Sequence, residues 1–306
     1  MNRPTACLAA LLASAHGFAI QPQLRLGGTR ATLAWSPATA SPQAFRLTDG
    51  ASPTMMLPAI GVLPAQTTTA LGLNSFLAAV GTLRGQKVLT PMGLAHAWAL
   101  GVMLWASLGW RGWGTCVCYF AGGVIVTKIG KGKKEALGIA EGRGGMRGPE
   151  NVWGSAATAA VCALSTMRWP ARAALLKLGF VAALATKLSD TCASEIGKAY
   201  GTDTYLITTL KKCKPGDEGG VSLEGTAAGV VGSIVLSCFG VAVGLVSKAM
   251  LLPLLLAAFV ATNIESLIGA VFQDNFKLLT NEVVNGIMTV VGAVVGMALG
   301  LALGMA

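Results

Sequence analysis

The sequence predicts an all-α fold, a polytopic transmembrane helix bundle of about seven or eight membrane-spanning helices. Two observations carry this. Of 306 residues, 53% are hydrophobic and 12% charged, with a mean hydropathy of +0.63, whereas roughly a quarter of the residues in a soluble domain are charged. Apolar runs also recur from about Ala59 to the C-terminus, each near the ~20 residues that a helix needs to cross the hydrocarbon core.

The elements follow in chain order. Residues 1–56 differ in composition from the rest. Arg3 precedes an apolar stretch ending in small residues, and a segment rich in Ser, Thr, Ala, Pro and Arg follows from Phe18. A secretory-type signal joined to a transit-like segment is the layout of a plastid address, removed after import. Residues 57–306 then form the transmembrane domain. Its first crossing is expected within residues 59–83, closed by Arg84 and Lys87. A second covers 91–110, where Trp110 and Trp113 flank Arg111 as an interfacial belt. The third, 113–127, is short, and a polar loop follows over 128–151.

Residues 152–167 are rich in Ala, Ser and Thr, which suits close packing inside a bundle. Arg168, Trp169 and Pro170 form a turn. Residues 171–200 read as one long helix, apolar to Ala185 and polar beyond. The last crossings are 226–246, 250–272 and 282–306, and the final one spaces Gly292, Gly296, Gly300 and Gly304 for helix packing. With eight crossings, Arg84, Lys87, the basic residues of 128–147, those of 187–214 and Lys277 fall on one face, and Arg111, Arg168, Arg172 and Lys248 on the other. That bias puts both polar loops on the stroma-like or cytosol-like side.

The formal net charge is +10, but the basic residues are scattered among apolar runs. This fits loop bias and anionic headgroups or phosphates better than nucleic acid, which is not expected as a partner. Seven cysteines include no CxxC pair, so neither a zinc site nor a disulfide framework follows.

Polar residues next to hydrocarbon are costly and mark function by default. They gather in four places. On the helix ending at Tyr200, Asp190 and Ser194 lie nearly in line and Lys198 falls between Asp190 and Glu195. Asp190 and Glu195 suit Mg²⁺, which takes one or two carboxylates plus water and phosphate oxygens. The competing reading is an exposed helix end with i,i+4 pairs. A loop-to-helix junction follows, with Gly219, Gly220, Ser222, Glu224, Gly225 and Thr226. Glycines there let backbone N–H groups approach a phosphate, and a helix start favours negative charge. Alternatively Ser222 is an N-cap and the glycines serve packing. Glu265 lies within an apolar run, near Asn281 and Glu282 in the same polar group, and is either a functional intramembrane carboxylate or a paired structural one. Finally Arg143, Arg147 and Asn151 form a loop able to clamp a phosphate or to meet lipid headgroups.

The runs GIAEGRGGMRGPENVWGSAATAAVCAL, KLSDTCASEIGKAYGTDTYLITTLKKCKPGDEGGVSLEGTAAGVVGS, ATNIESLIGAVFQ and LTNEVVN resemble the phytyl-phosphate kinase family of plastids and cyanobacteria, over about Leu71 to the C-terminus. The resemblance implies a plastid membrane enzyme, in the envelope, that converts phytyl monophosphate to phytyl diphosphate with CTP or ATP and Mg²⁺, in phytol salvage for tocopherol and phylloquinone synthesis. Asp190, Ala193, Gly197, Lys198, Gly201, Ser222, Glu224 and Gly225 are more loosely similar to phytol and dolichol kinases and to CDP-diacylglycerol synthases, which use CTP and Mg²⁺.

The expected partners are thus a membrane lipid, phytyl phosphate and a nucleoside triphosphate. Asp190 and Glu195 are expected to hold Mg²⁺. Lys198 with the 219–226 junction would take nucleotide phosphates, and Arg143, Arg147 and Asn151 the lipid phosphate. Glu265 would orient the reactants or support the metal. Another isoprenoid-lipid phosphotransferase, a cytidylyltransferase, or a transporter of an anionic lipid or metabolite are the alternatives. The gathering of charge at one interface and the lack of an internal repeat favour an enzyme over transport.

Overall fold

The computed structural model describes residues 65–304, apart from residues 84, 86, 87, 274, 275 and 277. The targeting region expected over 1–56 lies outside them. Eight α-helices carry the described chain: α1 (Ala65–Leu83), α2 (Pro91–Lys128), α3 (Lys131–Ala136), α4 (Pro149–Arg168), α5 (Ala173–Tyr200), α6 (Leu223–Ala242), α7 (Leu251–Ile268) and α8 (Asn281–Ala302). A small antiparallel sheet, order β2-β1-β3, joins α5 to α6, with β1 at Thr204–Leu206, β2 at Lys212–Cys213 and β3 at Gly220–Ser222.

The 38 residues of α2 are two rods rather than one. Gly109 breaks the helix with φ 65° and ψ −160°, a conformation that only glycine adopts readily. The chain turns back there. The Trp105 and Trp113 rings meet edge to face at 5.5 Å, and Arg147 touches both Gly93 and Gly123, which a straight helix would hold ~45 Å apart. The second and third crossings expected from sequence are therefore the two arms of α2, and their turn lies beside the expected Trp-Arg belt.

Among the described residues four stretches are long and apolar enough to cross a membrane by length and composition: Pro91–Lys128, Leu223–Ala242, Lys248–Gln273 and Asn281–Ala302. Large apolar side chains such as Val231, Val235, Leu252, Phe259, Val290 and Val294 are exposed on them, as a lipid-facing surface requires. Helix α5 does not meet that criterion because it carries Lys177, Lys187, Asp190, Glu195 and Lys198. It is instead the enclosed pillar of the bundle, packed against α2, α4, α6, α7 and α8. Its residues from Leu178 to Ser189 are all buried. A helix enclosed on every side does not present its polar half to hydrocarbon.

Small residues let the neighbours approach this pillar. A Cβ on Gly225 would lie 2.7 Å from the Ala193 carbonyl oxygen, and one on Gly232 would lie 2.8 Å from the Cys192 sulfur. Across the other side, Gly292 faces Thr186 and Gly296 faces the Ala182 methyl. The glycine spacing in α8 is thus a packing surface, as small-residue interfaces in membranes are. Gly304 is different: it follows the helix at φ 83° with nothing nearby, so it ends α8 and does not belong to the seam.

Candidate functional site

Alternate helix ends meet at one end of the bundle. The C-terminal ends of α5, α7 and the second arm of α2, and the N-terminal ends of α4, α6 and α8, enclose a polar cavity of about 320 Å³. Four cations line it, Arg143, Arg147, Lys187 and Lys198, together with six carboxylates, Glu141, Asp190, Asp217, Glu218, Glu265 and Glu282. Such helix ends offer uncompensated backbone groups, and those at N-termini favour anions.

At the cavity's inner wall stands Lys187, 7% exposed. Its ammonium donates to Asp190 at 2.7 Å and to the Asn285 side-chain oxygen at 2.8 Å, linking α5 to α8. Glu265 on α7 lies close enough to Asp190, Lys187 and Glu218 to feel their charge, and Ser266 donates to its carboxylate at 3.3 Å. Lys198 faces the cavity about three turns beyond Lys187 on α5.

The segment before α4 supplies the opposite wall. Arg147 is fixed through its backbone, its N–H donating to the Val88 carbonyl at 2.9 Å while its own carbonyl accepts from Thr90 at 3.0 Å. Its guanidinium lies over the Phe120 ring at 5.6 Å. Asn151 accepts from the Gly148 backbone N–H at 2.9 Å and from Arg143 at 3.0 Å, and donates weakly to Glu282 at 3.4 Å. Arg143 is also paired with Glu150 and is half exposed.

The junction before α6 forms the rim. Ser222 caps that helix by accepting from the Gly225 N–H at 3.1 Å, and Thr226 donates to the Ser222 carbonyl at 2.8 Å. Gly219, at φ 74°, packs against the Ser266 carbonyl of α7. Gly219, Gly220, Ser222, Gly225 and Thr226 all line the cavity, although Ser222 acts as the N-cap and Gly219 and Gly225 also have packing reasons to be glycine.

The structure therefore brings Asp190, Lys198, Glu265, five residues of the junction, Arg143, Arg147 and Asn151 into one cavity. Two expected residues stand elsewhere. Glu195 is 1% exposed and paired with the equally buried Lys134 of α3, whose ammonium also donates to the Thr127 carbonyl at 2.9 Å. Five residues after Asp190, it sits about 140° round the helix and faces away from the cavity, so the two do not form a shared ligand pair. Glu224 turns outward and accepts from the Thr202 hydroxyl at 2.6 Å and its N–H at 3.2 Å. It ties the end of α5 to the start of α6 and does not line the cavity.

Sequence reasoning missed Lys187 and Asn285 as site residues. Lys187 lies in the polar half of α5 and had a local signal in its i,i+3 spacing to Asp190. Asn285 had none, because its partner is 98 residues away. Among the described residues no group of three His, Cys, Asp or Glu side chains is placed to hold a metal by itself.

Two more cavities adjoin this one. A basic recess of about 590 Å³ includes Lys128, Lys131, Arg143 and Arg147. An apolar cavity of about 360 Å³ lies between α1, the arms of α2 and α4. Arg147 lines all three.

Comparison with known proteins agrees with a multi-pass membrane architecture. The chain is 55% identical over 222 residues, 72% of its length and 86% of the relative's, to an uncharacterised membrane protein of Synechocystis. It is 40% identical over 250 residues, 80% of its length and 72% of the relative's, to the chloroplastic protein VTE6 of Arabidopsis thaliana. An uncharacterised membrane protein of Methanocaldococcus jannaschii is 28% identical over 212 residues, 68% of this chain and 84% of that one. No solved structure matches it. The family model described as Integral membrane protein DUF92 matches residues 74–293. The chain belongs to the DUF92 family of integral membrane proteins.

Proposed function

We propose that the chain is a membrane-bound isoprenyl-phosphate kinase of the plastid, in the envelope, that converts phytyl monophosphate to phytyl diphosphate at the expense of a nucleoside triphosphate, CTP or ATP, with Mg²⁺. The observation that carries this reading is the polar cavity at the bundle end, where four cations and six carboxylates face one another beside an apolar cavity. A lipid phosphate and a water-soluble nucleotide meet most readily at such a boundary. The similarity to chloroplastic and cyanobacterial membrane proteins supports the setting.

In the proposed reaction an oxygen of the lipid phosphate attacks the γ-phosphorus, an O–P bond forms there, and the bond to the β,γ-bridging oxygen breaks, releasing nucleoside diphosphate. The attacking oxygen is already anionic, so no strong base is needed, and catalysis reduces to positioning and charge neutralisation. Arg147 and Arg143 bind the lipid phosphate, with Asn151 holding Arg143 in place. Lys198 and the junction of Gly219, Gly220, Ser222, Gly225 and Thr226 receive the nucleotide phosphates, where the start of α6 favours negative charge. Lys187 fixes the Asp190 carboxylate, and Glu265 faces the same space from α7.

The donor chemistry fits Mg²⁺. Six carboxylates against four cations would repel two phosphate groups without added positive charge, and Mg²⁺ takes one or two carboxylates and fills its shell with water and phosphate oxygens. Asp190 and Glu265 would hold it, and it would neutralise charge on the transferring group.

Incubation of the purified chain in detergent with phytyl phosphate, Mg²⁺ and either CTP or ATP tests the reading. Phytyl diphosphate is expected with at least one nucleotide. No diphosphate from any isoprenyl phosphate, with transport of a lipid anion in vesicles, would overturn it.

A further inference from the structure

The apolar cavity shares lining residues with the polar one. It is bounded by α1, both arms of α2 and α4, with walls made by side chains such as Leu94, Ala97, Trp98, Leu104 and Cys116. Its deep polar group is accounted for, since Asn74 accepts from the Trp113 indole at 3.1 Å and donates to the Ala70 carbonyl at 2.8 Å. At one end Tyr119, Arg147, Asn151 and Ser155 belong to both this cavity and the polar one. Of its lining residues, Leu77 and Val117 are 42% and 41% exposed.

We infer that this cavity is the chain-binding site for the lipid substrate. One isoprenoid chain lies between α1 and the α2 hairpin, entering from the bilayer past Leu77 and Val117, with its phosphate stopped at Arg147. The Arg147 side chain is suited to that stop. Its guanidinium lies over Phe120, so its apolar flank meets the chain cavity while its charge meets the headgroup. The break at Gly109 creates the space, because a straight α2 would place its two arms end to end instead of side by side. The choice of an isoprenoid chain rests on the function proposed above. The site itself rests on the continuity of the two cavities.

A C20 isoprenyl phosphate with a diazirine near the far end of its chain tests this in the full chain, in detergent and without nucleotide. Cross-linked peptides are expected from α1 and α2, at or near Leu77, Ala97, Trp98, Cys116 and Val117. Ala97→Trp, which fills the cavity, should lower that labelling about tenfold, and Val117→Trp at the rim serves the same purpose should Ala97→Trp not fold. Unlabelled phytyl phosphate should compete better than hexadecyl phosphate and better than phytol. Labelling on the outer faces of α6 to α8 in the wild type, or labelling unchanged by both fillings, would overturn the site, and equal competition by hexadecyl phosphate would overturn the isoprenoid assignment. Labelling of the cavity without any kinase turnover would support the site while sinking the proposed reaction. Turnover with labelling elsewhere would do the reverse.

Discussion

The Lys187 ammonium lies 2.7 Å from the Asp190 carboxylate, one turn away on the enclosed helix α5. Both side chains are largely buried, and Asn285 of α8 takes a second hydrogen bond from the same ammonium. A charge so placed is tolerable only while its partner is present. Lys187→Met leaves Asp190 buried and unpaired, which costs about 3–5 kcal/mol. Asp190→Asn keeps an acceptor for Lys187 and should cost less. Thermal unfolding in detergent should rank Lys187→Met well below Asp190→Asn. A Lys187→Met protein as stable as wild type would show that the pair does not hold the cavity wall.

Lys134 and Glu195 form an ion pair in which both side chains are fully buried. Lys134→Met should destabilise the protein by about 3–5 kcal/mol, and Lys134→Met combined with Glu195→Leu should recover much of that loss, because no buried charge is then left alone. A double-mutant cycle read by thermal unfolding checks this, and additive losses would contradict it.

Contacts in the glycine seam of α8 differ along its length. A Cβ on Gly292 would collide with Thr186, whereas Gly286 has nothing within 4 Å. Gly292→Ala should therefore destabilise the bundle. Gly286→Ala should be neutral or stabilising by up to about 1 kcal/mol, the helix propensity difference. Equal effects in unfolding experiments would mean that α8 does not seat on α5 as described.

Arg147 is where the three cavities meet. Its loss should fall on the lipid side of the reaction: Arg147→Ala is expected to raise KM for phytyl phosphate about tenfold or more, consistent with loss of charge-assisted hydrogen bonds of about 1.5–3 kcal/mol, with little change in KM for nucleotide. Steady-state kinetics with each substrate varied in turn reads this directly. A rise confined to the nucleotide KM would reassign the residue.

Much of this arrangement was legible in the sequence because membrane burial acts on local pattern. Apolar runs marked the helices, and charge counting placed residues 128–147 and 187–214 on one face. The pairing of Glu195 was not legible, because Lys134 lies 61 residues away in a basic loop whose other lysines are solvated. The angular offset between Asp190 and Glu195 was available from helix geometry, but only the neighbours of α5 decide which side is cavity and which is core. Nor does the stretch between α5 and α6 announce its sheet: the strands are two or three residues long, too short for an alternating pattern to show. The fold-back at Gly109 was visible as an interfacial belt around Arg111, yet the apolar cavity between the arms depends on how far apart packing holds them.

The most direct test of the account is a comparison of Asp190→Asn and Glu195→Gln in one assay, transfer of labelled γ-phosphate from CTP or ATP to phytyl phosphate with Mg²⁺, using protein that retains its fold. If the cavity around Asp190 is the reaction site and Glu195 is a buried structural partner, Asp190→Asn should lose about 100-fold or more of kcat, while Glu195→Gln, once folded, should stay within about threefold of wild type. Full transfer by Asp190→Asn together with loss in folded Glu195→Gln would contradict it.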